Sequence, residues 1–320
     1  MDLRALDELD RWLVHALQLD GRAAFTRIGE VLGVSHRTVA RRYRALCAAG
    51  VLRVRGLRHA RRTGQAEWSL RLRCRPAAAV EVAHALARRP DTSWVALTAT
   101  AGEVLCAART AAAVEHHALL TRTLPRTPEV REAAARLVLR THVGDAAGRQ
   151  GRLAALGAEQ VAALRGPAPE GSTDPEPYRA DAADQALFVA LAADGRATAR
   201  ELAARAGRSE SWARERVERL RRKGVLYFEA DVDAARVGHH DTTVLWLTTP
   251  PAHAEAVARA LTTHSPVVFA AATTGSSNLM AAVVTRDTDA LHSYLTGPLS
   301  ELAAVTHVES APVLRVVKRR

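Results

Sequence analysis

The stretch that decides the fold is SHRTVARRYRALCAAG, residues 35–50. Ser35 is a good helix N-cap, because its hydroxyl can accept from a free N–H of the first turn. Val39, Tyr43 and Leu46 recur at helical spacing and give one apolar face. Gly50 stops the helix, since glycine tolerates the left-handed cap. Between Ser35 and Ala49 there is no Asp or Glu, while His36, Arg37, Thr38, Arg41, Arg42 and Arg44 lie on the polar side. Ordinary solvated helix faces mix charge signs, and this one does not. Such a face suits the major groove: Arg takes guanine bidentately, and neighbouring Arg and Ser groups hold phosphates.

Working outward, Leu9, Leu13, Ala16 and Leu17 predict a helix over 8–19, with Asp7 as its cap and Asp20-Gly21 as its stop. Ile28, Val31 and Leu32 predict a second helix over 24–32, ended by Gly33. Two short helices joined by a glycine-containing turn make a helix-turn-helix. Downstream, 51–57 alternates apolar and basic residues, which predicts a strand or wing with Arg53 and Arg55 facing DNA. Residues 1–65 hold 13 Arg against six acids, and so carry +7 of the chain's +11.

The chain repeats itself. Residues 10–52 laid on 184–226 without a gap match at 15 positions, among them Asp20-Gly21-Arg22 with Asp194-Gly195-Arg196 and Gly50-Val51-Leu52 with Gly224-Val225-Leu226. The matches fall on turn residues and helix apolar positions, so a whole domain recurs. In the second copy Ser209, Ser211 and Arg214 take the DNA-facing positions. Glu210, Glu215 and Glu218 stand among them, and phosphates would repel these three carboxylates. The first copy is therefore expected to dominate DNA affinity.

Between the copies, 144–180 is rich in Pro, Gly and Ser, which marks a linker, with one short helix over 158–164. After the second copy the pattern reads strand 242–249, helix 250–264, strands 267–273 and 278–285, helix 288–302 and strand 305–317. That βαββαβ order is the ferredoxin-like split unit. A fainter version runs through 68–74, 76–88, 94–100, 103–108, 111–124 and 135–143, with Gly102 matched to Gly275 at the hairpin. The expected fold class is α+β: two three-helix winged helix-turn-helix domains alternating with two ferredoxin-like βαββαβ domains. The boundaries are 1–65, 66–144, a linker 145–180, 181–232 and 233–320.

Composition excludes several classes. At 48% hydrophobic and 25% charged residues, the chain is globular. No stretch reaches the ~18 apolar residues of a membrane span, and the N-terminus lacks the apolar core of a signal peptide. Cys47, Cys74 and Cys106 are widely spaced and form no metal-binding motif, so reduced thiols and no metal are expected. Sequence motifs for nucleophilic triads, P-loops or dinucleotide binding are absent. No catalytic residue or cofactor is assigned, and the chain is expected not to be an enzyme.

The pattern Leu6-Asp7-x-x-Asp10, Leu17-x-x-Asp20-Gly21-Arg22, Ile28-Gly29-x-x-Leu32-Gly33-Val34-Ser35 and Val39-x-x-Arg42-x-x-x-Leu46-x-x-x-Gly50-Val51-Leu52 resembles the Lrp/AsnC (feast/famine) regulators. The resemblance covers most of the chain, with the family's usual single unit present twice. It implies a cytoplasmic, sequence-specific regulator that binds double-stranded DNA and forms homo-oligomers. It also implies a small effector, such as an amino acid, bound at Thr100, Ala101 and Gly102 and at Thr273, Thr274, Gly275 and Asn278. Two alternatives stay open. Siroheme decarboxylases resemble the same family with both domains kept, and His116-His117 and His239-His240 are residues of the type they use. The other is an effector-binding interaction protein.

Overall fold

The computed structural model describes residues 6–111, 119–143, 155–165, 177–232 and 241–319. The fold is α+β. The chain does not divide into successive sequence blocks. It folds as two compact units, each built from two separated segments: Met1–Thr63 with Gly144–His240, and Gly64–Val143 with Asp241–Arg320. The breaks at 63/64, 143/144 and 240/241 fall near the expected 65/66, 144/145 and 232/233, and the blocks between them combine in alternate pairs. Segments far apart in sequence share a core because each exposes an apolar face that only the other covers.

In the first unit, α1 (Glu8–Leu19), α2 (Phe25–Leu32) and α3 (His36–Ala48) follow the periodicity read from the sequence. Asp7 caps α1 by accepting from the Asp10 amide at 2.9 Å, and Ser35 caps α3 by accepting from the Thr38 amide at 3.1 Å. Gly33 ends α2 in the left-handed region, at φ 68°. Leu13, Leu17 and Ile28 are fully buried between the helices, and each contributes about 1.5–3 kcal/mol. The strand β1 (Leu52–Arg58) follows. The same order recurs as α6 (Ala182–Ala193), α7 (Ala199–Ala206), α8 (Glu210–Arg222) and β6 (Leu226–Val232). Ahead of it comes the short helix α5 (Ala158–Leu164), at the expected position.

β1 forms no wing hairpin. It pairs antiparallel with β6, from Leu52 opposite Val232 to Arg58 opposite Leu226. Each strand also packs on the other copy's helices: Ala230 and Val232 join the core of α1–α3, while Gly56 lies against Leu191 of α6. A Cβ on Gly56 would come within 2.7 Å of the Leu191 Cβ, so only glycine fits this crossing. α5 docks on the first copy. Its Leu164 joins that core, and the Arg27 guanidinium donates to the Ala163 carbonyl.

In the second unit the strands are β2 (Gln65–Cys74), β3 (Thr92–Thr98), β4 (Glu103–Ala111), β5 (Val130–Val143), β7 (Asp241–Thr248), β8 (Val267–Thr273), β9 (Leu279–Thr285) and β10 (His307–Arg319). The helices are α4 (Ala79–Ala87), α9 (Pro251–Thr263) and α10 (Thr288–Thr296). Each set of four strands has the ferredoxin-like order, β3-β4-β2-β5 and β8-β9-β7-β10. The two sets do not stay separate sheets. β5 pairs with β8 and β10 with β3, closing one eight-stranded antiparallel barrel. Closure removes every open edge that the isolated sheets would present.

Three expected elements change. Within the helix expected over 111–124, Leu119–Thr123 is a wide turn and Leu124–Arg126 a 3-10 turn, and 112–118 lies outside the described residues. α10 ends at Gly297 and not at 302. The last strand, expected over 305–317, runs from His307 to Arg319, and Lys318 donates to the Arg89 carbonyl at 2.6 Å.

Candidate nucleic-acid interface and sensor site

Ser35, His36, Arg37, Arg41 and Arg44 are exposed on α3, and Thr38 is half-buried beside them. Arg44 donates to the Ala40 carbonyl of its own helix at 3.2 Å. Arg42 departs from the expected set. It points back into the domain and bridges Asp7 and Asp10 of α1. Its counterpart Arg216 does the same for Asp181 and Asp184, with two bonds to Asp184 at 2.7 and 2.8 Å. Arg42 thus fastens the reading helix to the domain. This is why it is one of the 15 residues common to both copies.

Asp184 carries a fully buried carboxylate. Burial alone would raise its pKa, but the bonds from Arg216 and Tyr178 outweigh burial and hold it below the usual carboxylate range. Asp10 goes the other way. Burial and the neighbouring Asp7 push it up, despite Arg42.

Arg53 and Arg55 also depart from expectation. Both lie in the β1–β6 ribbon, where Arg53 donates to the Ala193 carbonyl of the other copy at 3.3 Å. They sit in the joint between the copies and not on a wing.

That joint holds residues the sequence reading used only as a repeat. Arg22 donates to the carbonyls of Gly195 and Ala197, at 2.9 and 3.2 Å. Arg196 donates to those of Gly21 and Ala23, at 2.8 and 3.0 Å. Each guanidinium also covers an aromatic ring of the other copy, Arg22 over Phe228 and Arg196 over Phe25. The repeated Asp-Gly-Arg triplet was the available signal. Nothing in one copy alone shows that the triplet reaches for the other.

On α8, Ser209, Ser211 and Arg214 are exposed, and so are Glu210, Glu215 and Glu218. The two reading helices share geometry, N-cap and anchor, and differ in charge.

In the barrel, the residues of the expected effector set fall into two groups. Thr100, Ala101, Thr274 and Gly275 are exposed at the two hairpins. Thr273, Asn278 and Gly102 are occupied by structure. The Thr273 amide donates to the Asn278 carbonyl at 2.9 Å, and the Asn278 side chain bonds both the amide and the carbonyl of Thr249. A Cβ on Gly102 would meet the Cys74 carbonyl at 2.5 Å, and its φ is +83°. Gly102 is not the partner of Gly275. The bond from the Ala99 amide to the Pro312 carbonyl repeats as that from Thr274 to Leu137, which sets Thr100 opposite Gly275.

Inside the barrel, Arg71 of β2 bonds Glu103 at 2.6 Å and Glu309 at 2.7 Å, and lies over the Trp246 ring at 4.4 Å. The sequence reading did not single out this cluster. Its members come from four strands, β2, β4, β7 and β10, of both halves. Cys74 and Cys106 are buried free thiols, and burial pushes Cys106 up to about 12. The paired histidines at 116–117 and 239–240 lie outside the described residues.

Comparison with known proteins gives three domain matches. Residues 6–46 match the AsnC-type helix-turn-helix domain, 181–227 a winged helix-turn-helix DNA-binding domain, and 242–320 the Lrp/AsnC ligand binding domain. The chain is thus built with Lrp/AsnC-type helix-turn-helix and ligand-binding domains. It is 48% identical over 60 residues to the HTH-type transcriptional regulator LrpA of Mycobacterium tuberculosis, a match spanning 18% of this chain and 40% of that protein. Escherichia coli AsnC superposes on 45% of the chain at 24% identity, with a TM-score of 0.41 and 97% of AsnC covered.

The siroheme decarboxylase NirDL superposes on 98% of the chain and 93% of its own, with a TM-score of 0.66 and 12% identity. It does so again, at 14% identity, in its complex with an iron-uroporphyrin III analogue. That likeness overturns the expectation that the chain is not an enzyme. At such identity it establishes the fold alone, and this fold also serves an enzyme. Among the described residues no helix is long and apolar enough to cross a membrane.

Proposed function

We propose that the chain is a DNA-binding transcription regulator of Lrp/AsnC type, with two helix-turn-helix copies and two sensor halves fused as a covalent pseudo-dimer. The fusion reading rests on register. The 174-residue step that carries Leu52 to Leu226 also carries Arg55 to Glu229, and those two residues face each other at the centre of the β1–β6 ribbon. Two equivalent positions can meet only on a local two-fold axis.

The observation that carries the DNA reading is the acid-free, exposed face of α3: His36, Arg37, Arg41 and Arg44 beside the Ser35 cap. These residues, with Thr38, contact double-stranded DNA. Ser209, Ser211 and Arg214 make a weaker second contact against three carboxylates. A small effector bound at the barrel sets DNA affinity, and whole chains associate further into homo-oligomers.

Retention of sheared genomic DNA tests the reading. A few discrete fragments held at physiological salt are expected. Uniform retention that vanishes with salt would mean backbone electrostatics alone and would sink it.

A tetrapyrrole-processing enzyme is the second reading, motivated by the end-to-end likeness in fold to siroheme decarboxylase. Addition of an iron tetrapyrrole to the purified chain separates the two. A shifted Soret band with no discrete DNA sites would favour the enzyme.

A further inference from the structure

The charges on α3 and α8 do not only differ in sign; they exchange places. Residues four and then three apart stand in one line along a helix. On α3 the outward line is Arg37, Arg41 and Arg44, with Ala40 and Ala45 on its two flanks and Ala48 beyond it. The 174-residue step carries that line to Ser211, Glu215 and Glu218, its flanks to Arg214 and Arg219, and Ala48 to Arg222. These residues of α8 are all exposed, and Glu210 stands off the line at the helix start. Where α3 is basic at the centre and neutral at the rim, α8 is acidic at the centre and basic at the rim.

A helix in the major groove turns its central line to the base edges and its flanks to the phosphates. Carboxylates on the flanks would be repelled. On the central line they meet exocyclic amines, and a carboxylate accepts from N4 of cytosine. Glu218 is already engaged by Arg221 of its own helix at 3.5 Å. Glu215 has no ion-pair partner among the described residues. It stands where Arg41 stands on α3.

The two helices present these positions alike, since each has a serine cap and an arginine anchor to the first helix of its own copy. The joint fixes their placement. Arg22 and Arg196 bond across it in both directions, and Arg221 of α8 reaches Asp20 of the first copy at 3.1 Å. A Cβ on Gly195 would come within 2.7 Å of the Arg55 backbone, so the joint has no slack.

We infer that the chain recognises a DNA site of two unlike half-sites at one fixed spacing, with Glu215 selecting a cytosine where the α3 half offers Arg41 a guanine. The inference rests on the DNA-binding reading and deepens it. Two copies of α3 would read an inverted repeat; α3 joined to α8 does not. Affinity comes mainly from the α3 half, because Glu215 and Glu218 offset the charge that the flanking arginines bring.

The test selects from a pool of random duplexes with the full chain at physiological salt and sequences what is retained. One motif is expected, whose halves are not inverted copies of each other. Replacing the cytosine assigned to Glu215 is expected to weaken the parent about tenfold, and E215A by about twofold or less. E215R is expected to move the preference at that position to guanine and bring the motif toward an inverted repeat. R219A, at the rim, is expected to weaken every second half alike. Inserting base pairs between the halves should reduce binding to that of the first half alone. Glu215 is exposed, so its variants are expected to melt with the parent. An inverted repeat selected by the parent, a motif with a single half, or a second-half preference unchanged in E215A would overturn the inference and leave the regulator standing. A pool without any enriched motif would sink the regulator and this inference with it.

Discussion

The helices α3 and α8 are alike in backbone and differ in the charge of their exposed faces. Both start at a serine cap, run 13 residues and are tied to the first helix of their own domain by an arginine. On the outer face one presents histidine and arginine without an acid, and the other places Glu210, Glu215 and Glu218 among its arginines. The anchors also differ. Asp184 is fully buried beneath Arg216, whereas Asp7 beside Arg42 is well exposed. A recurring helical pattern can hold its fold through shared buried residues while the exposed face, which packing does not constrain, takes on a different charge.

The largest effect expected is on stability. Arg216→Ala leaves the Asp184 carboxylate buried without its cation and is expected to cost about 3–5 kcal/mol in urea unfolding. Arg42→Ala, at a more exposed pair, should cost roughly 1 kcal/mol. Equal losses would mean that the two anchors are equivalent. On DNA the order reverses. Arg41→Ala should lose about 1–3 kcal/mol of affinity for a retained fragment, read by fluorescence anisotropy, and Arg214→Ala much less. Equal weakening would show that both helices read DNA.

The third comparison is of pH. His15 of α1 is buried, and its Nδ1 accepts from the amides of Ala155 and Leu156 just before α5. Burial lowers its pKa to about 4. The folded state therefore keeps His15 neutral while the unfolded chain takes up a proton near pH 6.5. That stability is complete above pH 6.5 and lost as pH falls toward 4, by about 2 kcal/mol at pH 5. The second copy has Val189 at this position, 66% exposed and with no titrating group. Urea midpoints of the parent and of His15→Gln between pH 7 and pH 5 check this. A parent that loses no more stability than the variant would contradict it. The smallest effect is at the caps. Ser35→Ala and Ser209→Ala should each cost about 1 kcal/mol, and because the cap geometry is shared, unequal losses would break the likeness of the two helices.

The first three helices, their caps and α5 could be read directly, because each depends on local periodicity and on a capping residue within a few positions. The acid-free face of α3 was legible for the same reason: exposure follows from the helical repeat. Arg42 was misread because its position on the helix matched that of its exposed neighbours, and only the approach of α1 turns it inward. Arg53 and Arg55 were misread because an alternating strand reads the same in a wing and in a ribbon to another domain. Glu103, Glu309 and Arg71 went unnoticed, since three residues from separate strands have no common spacing.

The sequence by itself determined most of the elements, the recurrence of the three-helix pattern and the difference in charge between α3 and α8. These are properties of short segments, set by side-chain periodicity and backbone preference. Only the tertiary structure decided which segments share a core, that two four-stranded sheets close into one barrel, and that Arg71 of one half meets Glu309 of the other. Such facts depend on which distant residues are brought face to face. Burial and hydrogen-bond satisfaction settle that over the whole chain at once.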